Sequence, residues 1–415
     1  ETEKEHEDIL EQADETDAMF GELYSWYLRN TEYRSRVQKL VQSAFAGKPE
    51  DIISQSVAKA LYGEVSPYSA TRLERFAACA FAHFLQYGMK LTERVEYEFK
   101  PMDMGNVMHE ALESFAEEVR KRGMKWTELT EQERNEIADR CLDNIVADYG
   151  NTVLKSSARN EYMIERTRRI LRRTVWALQK QLEQGEFQPE GFEVTFGGGR
   201  IDRVDIMEDQ NKVYVKVIDY KTGNTSFDLV YLYHGLQLQL MIYLDGALRV
   251  EQKKYPDKEI IPAGVFYYNI KDPMIQEKID ADVEAVSAGL MKELKMNGLV
   301  QADPELVYRM DSSLGSIPVA FNKDGSFRKN SSVADRTQFA VLGRYVRTKI
   351  EKIRSSILEG DAEVSPYELG KKNACTYCPY MTVCGFDRRL SGYEFRRLKN
   401  FSDEELWKAF DREAE

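Results

Sequence analysis

The run GRIDRVDIMEDQNKVYVKVIDYKTG, Gly199 to Gly223, decides how the rest of this chain is read. Two alternating stretches flank a polar turn at Glu208 to Lys212, the pattern of an antiparallel hairpin whose side chains switch faces at every residue. Folding back near Gln210 sets Asp202 opposite Ile218 or Asp219. Because strand period is two, Asp219 and Lys221 share a face that Val213, Val215 and Val217 continue, and Asp202, Val204 and Ile206 form the matching row. The hairpin is expected to have an apolar floor, with two carboxylates and an ammonium gathered at one end.

Such a gathering costs free energy, since neighbouring carboxylates resist ionising together. A divalent cation removes that cost, and hard oxygen ligands suit magnesium or manganese. A metal held by two carboxylates with open positions orients phosphate and activates water. Lys221 is placed to orient that water or to neutralise charge in the transition state. The D-x-K spacing is short, however, and a surface hairpin with charged tips is written in the same letters.

Two further motifs stand in order around the hairpin: Gly105-Asn-Val-Met-His109 before it and Gln239-Leu-Met-Ile-Tyr243 after it. With them the chain resembles the PD-(D/E)xK nuclease core in its RecB-type branch, which carries a G-x-x-x-H helix upstream and a Q-x-x-x-Y helix downstream. The resemblance implies an α/β fold: a mixed, restriction-endonuclease-like sheet flanked by helices, with large helical insertions. It also implies His109, Asp202 and Asp219 as magnesium ligands, with the Tyr220 carbonyl as a further one. Lys221 would assist the attacking water, and Gln239 and Tyr243 would steady the substrate. Glu193, on the strand before the hairpin, is a candidate to assist the metal site, as an acidic residue there does in related nucleases.

The chain has 415 residues, 42% hydrophobic and 31% charged, enough for a large core. No run approaches the ~18 apolar residues of a membrane span. The opening ETEKEHEDIL has neither an initiator methionine nor a signal-peptide pattern, which suggests a piece of a longer polypeptide. A net charge of −12 runs against a DNA-binding role unless basic groups cluster and a metal offsets its carboxylate ligands. Arg166, Arg168, Arg169, Arg172 and Arg173 are candidates for contacting phosphate, with a solvated helix face as the plainer reading. Five cysteines without a secretion signal indicate a reducing cytoplasm and metal binding before disulfides.

In chain order, Asp17 to about Ala46 reads as one aromatic-rich helix and Asp51 to Tyr62 as another, together a segment (1–64) tethering a preceding domain. Pro67 breaks the pattern and Ser69 caps the next helix, RLERFAACAFAHFLQYG, which contains Cys79. Met108, Ala111, Leu112, Phe115 and Val119 recur at three- and four-residue steps in a helix over Met104 to Arg122. His109 lies on the edge of that stripe, Gly105 permits a close backbone approach, and Glu113 is an ordinary helix residue. Thr130 and Glu133 form a capping box opening a helix to about Tyr149, in which Cys141 packs beside Ile137 and Ile145. A long helix follows from about Ser156 to Glu183. Sheet begins at PEGFEVTFGGG. After the hairpin, Leu229 to Arg249 reads as a helix, residues 264 to 270 (GVFYYNI) as a strand, and Asp280 to Met296 and Asp335 to Leu358 as helices. PVAFNKDGSFRKN is a hairpin turning at Asp324 and Gly325. The expected division is a nuclease domain over 65–390, with a helical lobe at 105–185 and a catalytic core at 190–271, and a helical tail over 391–415.

Near the end stand Cys375, Cys378 and Cys384, a C-x2-C-x5-C triplet. Three thiols in ten residues point to metal, and a four-thiolate site needs one more ligand, for which spacing does not choose between Cys79 and Cys141. Zinc and an iron–sulfur cluster both accept four cysteines. One cysteine before the nuclease core and C-x2-C-x5-C after it resembles the iron-staple arrangement of the AddB branch of RecB-type nucleases, together with RFAACAFAHFLQYGMKL, GRIDRVD, DYKTG and SPYELGKKNACTYCPYMTVCGFD. That resemblance covers about Leu61 to Asp387. It implies that Cys79, Cys375, Cys378 and Cys384 hold a [4Fe-4S] cluster that clamps segments nearly three hundred residues apart, as a disulfide would where disulfides do not survive.

The branch implies a cytoplasmic, magnesium-dependent deoxyribonuclease that acts with an AddA-like helicase-nuclease partner. It would degrade the 5′-ended strand at double-strand breaks for recombinational repair. The family's helicase-like region with its nucleotide-binding loop is not found, as no G-x-x-x-x-G-K-[ST] occurs. The competing readings are a CRISPR-adaptation-type iron–sulfur exonuclease, a non-catalytic DNA-binding scaffold, and a zinc-binding adaptor.

Overall fold

The computed structural model describes residues 17–44, 52–63, 69–92, 101–148, 157–197, 199–275, 282–390 and 392–414. The hairpin sits inside a six-stranded sheet built in chain order: β1 (Gln188–Phe196), β2 (Gly199–Asp209), β3 (Lys212–Lys221), β4 (Glu259–Asn269), β5 (Asn297–Gln301) and β6 (Val333–Ala334). The β3–β4 and β5–β6 pairs are parallel and the others antiparallel, so the sheet is mixed. Arg203 pairs with Ile218, Val204 with Val217 and Ile206 with Val215. One step further along that register Asp202 stands opposite Asp219. The strands reverse between Asp209 and Lys212, with Gln210 at a φ of 39°, as a two-residue hairpin turn demands.

Both faces of the sheet are covered. Val204, Ile206, Val213, Val215 and Val217 enter one core, where each buried valine contributes about 1.5–3 kcal/mol. That core is shared by α1 (Ala70–Ala78), α5 (Gln239–Lys254), α6 (Arg336–Glu359) and α7 (Asp403–Ala414). On the opposite face Met207, Tyr214, Ile218 and Tyr220 pack with α2 (Pro101–Lys121), α3 (Glu131–Asp148) and α4 (Ala158–Glu183). The expected stripe of Met108, Ala111, Leu112, Phe115 and Val119 is buried there. Cys141 lies in the same core beside Ile137 and Ile145. Thr130 and Glu133 bond reciprocally at the start of α3.

Several element boundaries differ from the sequence reading. The first helix is two, 17–29 and Arg34–Ala44, broken at Asn30. The next begins at Gln55, capped by Ser54; Ile52 instead bridges to Asp361. The helix capped by Ser69 ends at Ala78, and Cys79 has extended backbone (φ −166°, ψ 117°) before a short helix, Ala80–His83, and a π-turn over Phe84–Gly88. The span after the hairpin is likewise split into Leu229–Tyr233 and α5, because Gly235 takes a φ of 77°. β4 starts at Glu259, five residues earlier than GVFYYNI. The Asp324–Gly325 reversal is present, though with a single bridge between Phe321 and Phe327. Pro67 lies outside the described residues.

Candidate active site

At the end of the hairpin away from its turn, the groups singled out in sequence meet. His109, on α2, places its Nδ1 3.3 Å from Asp202 Oδ2. The same carboxylate oxygen accepts the Tyr220 N–H at 2.7 Å, which locks Asp202 to β3. Lys221 Nζ lies 2.6 Å from Asp219 Oδ2 and donates to Gln239 Oε1 at 2.8 Å. Gln239 Nε2 in turn donates to Asp219 Oδ1 at 2.8 Å and to the Tyr243 hydroxyl at 2.9 Å. The Q-x-x-x-Y pair therefore holds the Asp219–Lys221 ion pair, and Gln239 does so from the first turn of α5 rather than from mid-helix. Gly105 is not used as expected: a Cβ there would meet the Thr222 side chain at 3.4 Å, and no backbone of the described residues comes within 4 Å of it.

Glu193 joins the site through a strand irregularity. The β1–β2 register shifts between Pro189 and Gly191, where a Cβ on Gly191 would meet Val194 Cγ2 at 2.6 Å. Glu193 itself has a φ of 49°, a conformation that costs a non-glycine residue about 1–3 kcal/mol and is characteristic of functional sites. The result is a carboxylate 4.0 Å from His109 Nδ1 that also pairs with Arg200. Donor atoms of His109, Glu193 and Asp202 lie within 4.8 Å of one another, the one such group of three among the described residues.

The electrostatics of this cluster are those of crowded, largely buried acids. Burial and then the Asp202 charge push Asp219 up to about 7, against the pull of Lys221. Glu193 is pushed to about 7 by the same two causes. Burial works against protonation of His109, yet its hydrogen bond to Asp202 and the surrounding carboxylates hold its pKa above the usual value. Two acids that resist ionising beside a third and an imidazole make a donor set of hard oxygens and one nitrogen, which fits a magnesium- or manganese-sized cation.

Directly behind Asp202, alternation turns Arg203 and Asp205 to the opposite face of β2. Asp205 accepts from Arg203 Nε (2.5 Å) and Nη2 (2.9 Å) and lies 2.9 Å from Lys216 Nζ, all three groups being buried. The Arg203 guanidinium stands 5.6 Å from the Trp126 ring and 5.7 Å from the Phe192 ring, and those two rings are stacked on each other. This triad was missed in sequence, although Asp205 and Lys216 are direct cross-strand partners. Glu74 was also missed; it accepts the backbone N–H groups of Leu238 and Gln239.

The four cysteines of the predicted staple line one cavity with Phe81, Ala82, Tyr380 and Phe386, and Cys141 is not among its lining residues. Arg75 Nη2 approaches Cys378 Sγ at 3.8 Å, and the Phe386 N–H donates to Cys384 Sγ at 3.5 Å. A single zinc ion would draw its sulfurs to about 3.8 Å apart, given Zn–S near 2.3 Å. A four-cysteine iron–sulfur cluster is the other group that such a set of thiols accepts. Of the candidate phosphate-binding arginines of α4, Arg166 is exposed, Arg173 lies 5.8 Å from the Trp176 ring, and the other three form ion pairs along the helix face. Arg168 pairs with Asp143 and Glu165, Arg172 with Asp139, and Arg169 with Asp272.

Comparison with known proteins bears directly on this geometry. The model of the PD-(D/E)XK nuclease superfamily matches residues 67–385, a span that contains every residue placed in the site and all four cysteines. A protein of Lachnoclostridium phytofermentans, named as one of the subunits of an ATP-dependent helicase/deoxyribonuclease, is 41% identical over 421 residues, covering 96% of this chain and 36% of the relative. Proteins of the same name from Thermoanaerobacter sp. and Alkaliphilus metalliredigens are each 34% identical, over 97% and 96% of this chain and 37% of their own length. The chain thus spans a little over a third of the length of the curated relatives it matches. Both the mixed sheet that delivers its carboxylates to one edge and the extent of the match lead to the same conclusion: this chain belongs to the PD-(D/E)XK nuclease superfamily.

Proposed function

We propose that this chain is a metal-dependent deoxyribonuclease region, the nuclease part of an AddB-like helicase-nuclease polypeptide that works with an AddA-like partner on DNA double-strand ends. The single observation that carries this reading is the convergence of His109, Glu193 and Asp202 donors within 4.8 Å, beside an Asp219–Lys221 pair clamped by Gln239. A scaffold that only gripped DNA would have no use for that arrangement.

In this reading His109, Asp202, Asp219 and Glu193 hold magnesium or manganese, with the Tyr220 carbonyl as a further ligand. The cation supplies charge neutralisation to the scissile phosphate and acidity to the attacking water. Lys221, held by Asp219 and Gln239, presents its ammonium where negative charge develops. Gln239 and Tyr243 fix that ammonium and flank the substrate. Cys79, Cys375, Cys378 and Cys384 hold a [4Fe-4S] cluster whose role is structural: it joins the end of α1 to the C-terminal segment. The relatives' name supports a deoxyribonuclease subunit of a helicase complex, and the AddB resemblance adds trimming of the 5′-ended strand for recombinational repair.

The test is cleavage of a linear DNA duplex with magnesium, with EDTA, and by Asp219→Ala. Cleavage should require magnesium and fall by at least about 10³-fold in the variant, with the fold retained by circular dichroism. Undiminished cutting by Asp219→Ala would remove the assignment.

A further inference from the structure

The residue before α5, Leu238, has no side chain able to cap the helix. The first N–H groups of α5 are instead satisfied from a different element. Glu74, in the middle of α1, accepts the Leu238 N–H at 2.7 Å and the Gln239 N–H at 2.9 Å through one oxygen, Oε1. A carboxylate at a helix N-terminus is favoured by the helix dipole. Here it is turned into the protein, and burial pushes it up to about 7 against the pull of the two N–H groups and Lys221. Gln239 is also the residue whose side chain touches Lys221, Asp219 and Tyr243 at once.

The helix that supplies this cap is anchored away from the site. It ends at Cys79. Arg75, one residue after Glu74, reaches Cys378 and lies over the Tyr380 ring. Arg396 donates to the Ala77 carbonyl. The Gly235 turn that splits the helical span passes so close that a Cβ there would meet Ala77 Cβ at 3.2 Å.

We propose that Glu74 is a positioning residue for the nuclease reaction: it fixes the start of α5, and through Gln239 it registers the Asp219–Lys221 pair against the cysteine-anchored helix. The inference rests on the catalytic reading given above. It explains why a half-buried glutamate is held beside α5 without touching the cluster of His109, Glu193 and Asp202. It also ties activity to the cysteine site without any contact between that site and the substrate.

The experiment measures single-turnover cleavage of a linear duplex in magnesium, and duplex affinity by fluorescence anisotropy, for the full chain and its variants. Glu74→Ala should lower the cleavage rate about 10- to 100-fold, the effect of an approximately 1 Å misplacement of a catalytic group, with affinity unchanged within about twofold. Glu74→Gln keeps an oxygen that can accept both N–H groups and should recover the rate to within about fivefold of the parent. Glu74→Asp keeps the charge but is a methylene too short, and should be slow; this variant decides the matter if Glu74→Ala fails to fold. Parent-like rates in Glu74→Ala or Glu74→Asp, or a Glu74→Gln rate as low as that of alanine, would overturn the capping role. Asp219→Ala assayed in parallel separates the two claims. If it still cleaves, the catalytic reading fails; if it is silent while Glu74→Ala is parent-like, only the role of Glu74 falls.

Discussion

Asp219 shows how much one residue's surroundings decide. Its carboxylate is buried, faces Asp202, and is offset by a single ammonium, so the metal-free site holds protons that an unfolded chain would release. Glu193, raised to about 7, acts in the same direction. An acid whose folded pKa is raised loses stability for the fold as pH climbs from its unfolded value, about 4, to about 7. His109 adds to the trend, because the stability from its raised pKa is present at low pH and is lost as pH rises through that value. A bound cation reverses all three effects. The gap in melting temperature between magnesium-saturated protein and protein in EDTA should therefore widen as pH rises from about 5.5 to about 7.5. A gap independent of pH would contradict the carboxylates' role as ligands. At this scale the sequence was informative where alternation governs: Asp202, Asp219 and Lys221 were placed by strand period alone. Glu193 was less legible, because its direction depends on a positive φ and on the irregularity at Gly191, which no periodicity encodes.

The β2–β3 hairpin does two jobs on its two faces. One row carries the valine floor and the site carboxylates; the other carries Arg203, Asp205 and Lys216 into the helical core. The buried triad ties the two strands together immediately behind Asp202, and Trp126 and Phe192 close over Arg203. Asp205→Ala would leave two buried cations without the carboxylate they share. That should cost about 3–5 kcal/mol, read as a fall in the urea midpoint; a loss under about 1 kcal/mol would show that the triad is not what holds the hairpin. Helix interruptions were the least legible feature of the elements. Local pattern runs unbroken through Cys79, while between His234 and Leu238 the local signal is Gly235, whose φ of 77° ends the helix; each break has a tertiary consequence. One break sets a thiol in a shared cavity, and the other lets Glu74 cap α5.

Over the whole molecule, the sheet separates two helical layers, and helices from before and after the sheet in sequence feed into one of them. Ala58 and Tyr62 from the helix Gln55–Tyr62, and Leu406 and Phe410 from α7, lie in the core that packs under the site carboxylates. No helix among the described residues is long and apolar enough to cross a membrane. Long-range order of this kind follows from motifs spread across the chain. His109, the hairpin, Gln239 and the cysteines are separated by up to three hundred residues, and their order was readable because each motif is short and chemically distinct. The central claim is that imidazole and carboxylates from α2, β1, β2 and β3 surround one cation. The most direct measurement is anomalous scattering from a manganese-soaked crystal, collected at the manganese and iron edges. The account predicts a manganese peak enclosed by His109, Glu193, Asp202 and Asp219, and iron among Cys79, Cys375, Cys378 and Cys384. A saturated crystal with manganese elsewhere, or with none between those four side chains, would contradict it.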